Sequence, residues 1–484
     1  MIRRVSIMDK EKSLKRNYAY NLSYQLLAIL VPLVTTPYVT RVLGPEKLGD
    51  YAYTSAMVSY FGIVAALGTV TYAQREVACY QKAREERSRT FYEILFLRLF
   101  MVGIVFAAYC VFLFLAGTYR VLYIIQLCTV LSWAFDISWF FQGMEDFKVT
   151  VIRNSTVKLI SVILILTLVK SRDDLWIYAF ILCFSALLGN MTMWPFIKKY
   201  LCRIRRKELH PLRHLKGSLE LFVPVLSIQI YTVLDQTMLG AMINTTQVGY
   251  YAQTQKIINL ESSLLFSLTS VLMPRMTVLL SENKVELANS YYRKVVSFGF
   301  MLNLPMTAGT ILISKYLIPV FFGRGYRECI PLLRILSFIF VTQGIGQIAG
   351  TLLIAMKRQK QYTIAVTAGA VINLICNGLF ITRFEAKGVA AASVFSEICI
   401  EIMMLHYIRP TFEKGALKEA FFNYLPPTLG MSLVLWAAEC FLEVNLISLF
   451  ILGVSGVGVY SLLLILRKDI FLKELLHKGG RGFR

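Results

Sequence analysis

Residues 18–40 read YAYNLSYQLLAILVPLVTTPYVT, a run from Tyr18 to Thr40 without one charged side chain. A helix of about 20 residues rises about 30 Å, the thickness of a bilayer's hydrocarbon core. An uncharged run of this length reads as a membrane crossing. It is too long for the apolar segment of a secretory leader and is followed by no small-residue cleavage site, so no cleavable signal peptide is expected. The residues ahead of it carry Arg3, Arg4, Lys10, Lys12, Lys15 and Arg16.

Runs of the same kind recur to the end of the chain. They place crossings at 18–40, 52–73, 91–116, 121–142, 149–169, 175–197, 219–241, 250–273, 295–318, 329–355, 361–382, 386–408, 420–441 and 445–466. The expected fold is an all-α integral membrane protein of about fourteen transmembrane helices. Of the 484 residues 56% are hydrophobic, where a soluble globular chain has about 45–50%. No stretch is left over for a soluble domain.

The formal net charge of +22 invites a nucleic-acid reading, but the basic residues sit in short loops between apolar runs and form no folded polar surface. The positive-inside rule accounts for them. With the N-terminus in the cytoplasm, and residues at span ends counted with the adjoining loop, inside segments hold 37 Lys+Arg and outside loops 10. Only Arg98, Lys158, Lys256 and Arg334 fall within spans. A missed crossing would invert the alternation downstream, so the bias supports both the even helix number and cytoplasmic N- and C-termini in a multi-pass protein of the cytoplasmic (inner) membrane.

The most basic inside loop carries Lys198, Lys199, Arg203, Arg205, Arg206 and Lys207. It divides the chain into a basic tail (1–17), a first six-helix lobe (18–197), a linker (198–218), a second six-helix lobe (219–408), an appended helix pair (409–466) and a second basic tail (467–484). Gly49-Asp50-Tyr51-Ala52 and Gly249-Tyr250-Tyr251-Ala252 each follow the first span of their half. Like topology in the two halves suggests a parallel pseudo-repeat about an axis along the membrane normal.

Polar residues inside spans mark where function is expected, because each is costly there. Arg98, Lys158, Arg75, Arg275 and Arg41 are candidates for a cationic substrate path, and Arg75 and Arg275 end the second span of each half. Guanidinium forks suit phosphate oxygens, so such a path favours an anionic substrate. Asp136, Asp235, Glu397 and Glu401 are candidates for ion coupling or for neutralising the cations in pairs. Glu397 and Glu401 share a helix face. Pro32, Pro37 and Pro224 are candidates for bending the first span of each half. His210 and His214 stand four apart but in a basic loop, where a solvated face is expected. The nine Cys form no CxxC. No catalytic constellation, metal site or bound cofactor is expected; Na+ or H+ enters only as a coupling ion.

Three stretches carry a family resemblance. The first runs Asn21…Pro32-Leu33…Thr36-Pro37-Tyr38…Arg41-Val42-Leu43-Gly44-Pro45…Gly49-Asp50-Tyr51. The second is Asp136-Ile137-Ser138-Trp139-Phe140-Phe141-Gln142-Gly143-Met144-Glu145, and the third is Asp235-Gln236-Thr237-Met238-Leu239-Gly240…Val248-Gly249-Tyr250-Tyr251. Together they resemble the Wzx-type polysaccharide flippases, related to MATE multidrug exporters and the lipid II flippase in the MOP superfamily. The resemblance implies two six-helix lobes in a V around a cationic central cavity, with alternating access. It implies a lipid-linked oligosaccharide of the undecaprenyl-pyrophosphate type as substrate, membrane lipid and polysaccharide assembly proteins as partners, and a C-terminal helix pair serving the lipid tail. The alternative is a MATE-type multidrug or cation antiporter of the same fold. A membrane glycosyltransferase or polymerase is disfavoured, because the outside loops are short and Asp173-Asp174 reads as a polar turn.

Overall fold

A computed structural model describes residues 2–409, 411–413 and 415–469; the side chains of residues 1–26 and of most of 221–231 and 261–275 lie outside the described set. The chain divides into two compact units, Met1–Thr237 and Met238–Arg484. The described residues are helical or in short connections, with no strand.

The first unit contains α1 (Ile2–Ala66), α2 (Thr69–Cys79), α3 (Arg84–Leu115), α4 (Arg120–Phe135), α5 (Ser138–Gly143), α6 (Phe147–Leu168), α7 (Leu175–Met191), α8 (Trp194–Ile197) and the start of α9 (Leu215–Met242). The second contains the end of α9, then α10 (Thr245–Ser281), α11 (Val285–Phe321), α12 (Cys329–Leu336), α13 (Ile339–Ala355), α14 (Gln359–Ile408), α15 (Gly415–Glu439) and α16 (Leu446–Leu466). The unit boundary falls inside α9, beyond the basic linker of residues 198–218.

Helices and expected crossings match once breaks are read correctly. Nine stretches of the described residues are long and apolar enough to span, and two of them, Ile29–Cys79 and Gln359–Ile408, run 51 and 50 residues. Each of these two is long enough for two crossings. With α9, α10 and α15 the total returns to about fourteen.

The paired crossings are separated by single residues rather than loops. In α1 the backbone leaves helical geometry at Gly44, φ 75° and ψ 174°. That left-handed φ costs glycine nothing, and Pro45 follows as a pre-set first residue of the next helix. Pro32 and Pro37 lie inside α1 at helical φ/ψ. In α14 the break is Glu385, φ 51° and ψ −133°. The helix doubles back there: a Cβ on Gly369 would stand 2.1 Å from Ile400 Cγ1.

The outer surfaces are apolar, as lipid requires. Phe114, Phe441 and Phe450 are 82%, 88% and 71% exposed. Inside the first unit, Phe91, Trp139, Phe140 and Phe141 are closed off in one cluster. Small residues let helices approach: a Cβ on Gly62 of α1 would meet the Trp133 ring at 2.7 Å. In the second unit, α15 and α16 pack on α11. Tyr460 Oη donates to the Met301 carbonyl at 2.8 Å, and Tyr316 Oη to that of Leu442 at 3.0 Å.

Candidate functional site

The fourth crossing of the first unit is broken. α4 ends at Phe135, Asp136 is extended, and α5 begins at Ser138. A helix end leaves carbonyls without intrahelical partners, and at membrane depth each must find one. Here four carbonyls around the break find side-chain donors. Asn190 Nδ2 donates to the Ser132 carbonyl at 2.9 Å, Arg98 Nε to Trp133 at 3.1 Å, Trp194 Nε1 to Phe135 at 2.9 Å and Trp139 Nε1 to Asp136 at 3.1 Å.

The Asp136 carboxylate fills the other side of the break. Its Oδ1 accepts from the Ser138 N–H at 3.0 Å, and its Oδ2 accepts from Arg98 Nη2 at 3.0 Å. Arg98, on α3, is 3% exposed. Its guanidinium therefore holds one carbonyl and one carboxylate across the helix break. Its remaining terminal nitrogen, Nη1, is buried without a hydrogen-bond partner among the described residues. Arg98 and Asp136, 38 apart in sequence, thus form an ion pair across the break.

The other candidates are more dispersed. Lys158 is half-buried on α6. Arg75 is exposed, with Glu76 3.6 Å away and its guanidinium over the Tyr72 ring. Arg41 is exposed and donates to the Pro37 carbonyl at 2.7 Å. Asp235 is buried on α9, where Tyr60 Oη and Thr237 Oγ1, 2.8 Å apart, join α9 to α1. The side chains of Arg275 and Pro224 lie outside the described residues.

In the second unit Glu401 is 6% exposed. It lies against Gly346 of α13, where a Cβ would stand 3.2 Å from its Oε1. That oxygen has no hydrogen-bond partner among the described residues. Glu397, one turn earlier, is half-buried. Asn303 and Gln347 also keep a buried, unpartnered side-chain oxygen. Among the described residues no cluster of His, Cys, Asp and Glu could hold a metal ion.

A second charged centre was not expected from sequence. Glu93, on α3, is fully buried. Its Oε1 accepts from the His210 backbone N–H at 2.8 Å; its Oε2 is 2.8 Å from His214 Nε2 and 2.6 Å from Arg213 Nη2. Tyr72 Oη lies 2.9 Å from His214 Nδ1. The expectation of a solvated face fails for His214, which is 3% exposed, because the buried carboxylate draws the loop inward. Burial, which dominates, holds the His214 imidazolium below its ordinary pKa, against the opposing pull of Glu93.

The first turns of α3 grip the rest of the linker. Arg84 Nη2 donates to the Leu201 carbonyl at 3.0 Å, Arg87 Nη2 to Tyr200 at 2.6 Å, and Ser88 Oγ accepts from the Cys202 N–H at 2.9 Å. Beside them Tyr200 Oη donates to Asp146 Oδ2 at 2.6 Å, and burial together with that carboxylate raises the phenol above its usual value. Glu93 escapes a sequence reading because it stands where a charged helix start passes into an apolar span. The sole signal is the acid itself, one turn before Leu97 and Arg98.

Broken helices, buried charge pairs and an apolar exterior together define a polytopic membrane carrier. The chain belongs to the polysaccharide biosynthesis protein family, whose model matches residues 14–280, within the superfamily of Wzx-type flippases and MATE transporters that the three sequence stretches imply. The lipid II flippase MurJ family model matches residues 149–455. A protein of Shigella dysenteriae provisionally described as an O-antigen transporter is 23% identical over 78% of this chain and 96% of its own length. The capsular polysaccharide biosynthesis protein CapF of Staphylococcus aureus is 20% identical over 82% of this chain and its whole length. Among solved structures, the inward closed lipid II flippase MurJ aligns with TM-score 0.73 at 16% identity, covering 95% of this chain and 99% of its own. An inward-facing MATE transporter aligns at 0.62 and 17%, covering 82% and 96%. At these identities the structural likeness concerns fold.

Proposed function

We propose that the chain is a flippase carrying polyprenyl-pyrophosphate-linked oligosaccharide repeat units across the cytoplasmic membrane for surface polysaccharide assembly. The observation that carries this reading is the Arg98 guanidinium, which keeps a buried N–H unpartnered among the described residues after meeting Asp136 and the Trp133 carbonyl, in a chain of the polysaccharide biosynthesis family. A desolvated guanidinium donor favours a phosphate oxygen. Lys158, Arg75, Arg275 and Arg41 extend the cationic path. The two six-helix lobes alternate access while the lipid tail stays in the bilayer, with α15 and α16 beside it. Glu397, Glu401 and Asp235 serve a coupling ion, Na+ or H+. Both termini face the cytoplasm.

A MATE-type cation antiporter is the second reading. It needs a carboxylate in the first unit available to a cation, and Asp136 is already occupied by Arg98 and the Ser138 N–H. Reconstituted vesicles decide between them. Protection of a fluorescent undecaprenyl-pyrophosphate oligosaccharide from an external reagent supports the flippase. Efflux of a cationic dye with no movement of the lipid-linked sugar sinks it.

A further inference from the structure

Around the start of α9 the usual placement of polar and apolar residues is reversed. His214 and Ser218, four apart on one face, are buried, held by Glu93 and Tyr72 and by close approach to Gly68. On the opposite face Leu212 is 73% exposed and Leu219 is 41% exposed. Leu215 lies between them, half-buried, and the three leucines with Lys216 and Glu220 line an open surface hollow. Leucines at this spacing form one stripe. The Glu93 contacts fix the opposite face inward, so the stripe cannot turn away from the surroundings.

The surroundings it suits are apolar on one side and anionic on the other. Arg203, Arg205, Lys207 and Lys216 are exposed along the same segment, beside Arg213, which Glu93 already engages. Glu208 is set against Arg89 at 3.6 Å. An exposed leucine stripe under a basic rim is the pattern of a segment lying in the headgroup–acyl boundary. We infer that residues 203–220 form an interfacial anchor, its leucines seated in the cytoplasmic leaflet and its basic rim selecting anionic lipid headgroups. Continuity supports that occupant, since Leu219 belongs to the helix that runs on as the seventh crossing. The inference rests on the orientation proposed above, which puts the linker on the cytoplasmic side.

The test uses the full chain reconstituted in vesicles of phosphatidylcholine alone or mixed with phosphatidylglycerol, in each case with or without brominated acyl chains. The emission added by Leu212→Trp, relative to the parent, should be blue-shifted and quenched by the brominated lipid. Quenching should deepen by about twofold when phosphatidylglycerol is present, and Lys207→Ala/Lys216→Ala should remove that increment. Emission at the position of water-exposed Trp, unquenched in both mixtures, overturns the anchor and points to water or a protein partner. Equal quenching in both mixtures overturns the anionic selection. Protease access to the linker in oriented vesicles separates the two levels: a linker on the outer face ends the topology, whereas a cytoplasmic linker with unquenched emission from the Leu212→Trp variant ends this inference alone.

Discussion

In the unit Met1–Thr237 the polar atoms left over after pairing include arginine N–H groups, Arg98 Nη1 and Arg87 Nε. In the unit Met238–Arg484 they include the oxygens of Glu401, Asn303, Gln347 and Gln253. The contrast is not complete, since Gln126 Oε1 is left over in the first unit and Asn373 Nδ2 in the second. It nonetheless separates two ways of carrying polar groups through an apolar medium. The first unit buries full charges and neutralises them internally, Arg98 with Asp136 and Glu93 with Arg213, leaving excess donors. Among its described residues the second buries amides and one carboxyl, leaving excess acceptors. Donors without partners attract anions and acceptors attract cations, so Arg98 in the first unit suits the proposed anionic substrate and Glu401 in the second suits the proposed coupling ion.

The largest effect that would break this contrast is at Glu93. Glu93→Ala removes the acceptor of three groups and leaves Arg213 and His214 facing an empty site. Loss of one member of a buried ionic cluster costs about 3–5 kcal/mol. The expected result is a lower unfolding midpoint in detergent and faster backbone exchange across residues 198–218. A midpoint within a degree of the parent would show that the linker is held by other contacts.

Arg98→Ala comes next. Asp136, with a side chain 21% exposed, would keep its Ser138 contact but lose its cation, for a cost of about 2–4 kcal/mol. The double variant with Asp136→Ala should recover about 1–3 kcal/mol of the summed losses, whereas flippase activity should fall in both. Stability restored together with activity would remove Arg98 from the substrate path.

Acid gives a smaller effect with a definite sign. His214 is held below its ordinary pKa of 6.5, so the unfolded chain binds more proton between the two values. The contribution of His214 is complete above about pH 6.5 and is lost as pH falls through that value toward the folded one, with a slope of at most about 1.4 kcal/mol per unit for one proton. The opening constant of residues 208–218, observed exchange divided by the intrinsic rate, should rise on going from neutral to mildly acidic buffer, and His214→Phe should flatten that dependence. Faster exchange at higher pH, beyond the intrinsic base-catalysed trend, would reverse the assignment.

The smallest effect is at Glu401. Because its Oε1 has no hydrogen-bond partner among the described residues, Glu401→Gln should shift stability by less than about 1 kcal/mol, while Asp136→Asn should cost more. Equal losses in thermal unfolding would erase the distinction between the units.

The crossings were legible from hydropathy because bilayer thickness imposes a length on every apolar run. The family was legible from three stretches with unusual Gly, Pro and Asp spacing. What remained hidden depends on partners distant in sequence. Residues 121–142 look like one uninterrupted span, since Asp136 alone gives no sign that Arg98, Asn190 and Trp194 supply the donors a broken helix needs. The pairing of Arg98 with Asp136 was expected only as a rule for intramembrane charges, with no partner assigned. His214 was read as solvated from its basic neighbours, and its burial follows from an acid more than a hundred residues away. Arg75 and Arg41, candidates for the same path as Arg98 but placed at span ends, are exposed, because charge at a span end can reach the interface.

The reversal at Glu385 has a consequence for how the chain is made. The eleventh and twelfth crossings meet at a single non-helical residue, and Gly369 already touches Ile400 across the hairpin. Only the short charged turn Arg383-Phe384-Glu385-Ala386-Lys387 stands between them, too short to hold the first crossing apart while the second emerges from the ribosome. The two helices must leave the insertion machinery together, as a preformed pair, and a substitution that separates them at Gly369 would act during biogenesis, before transport is ever attempted.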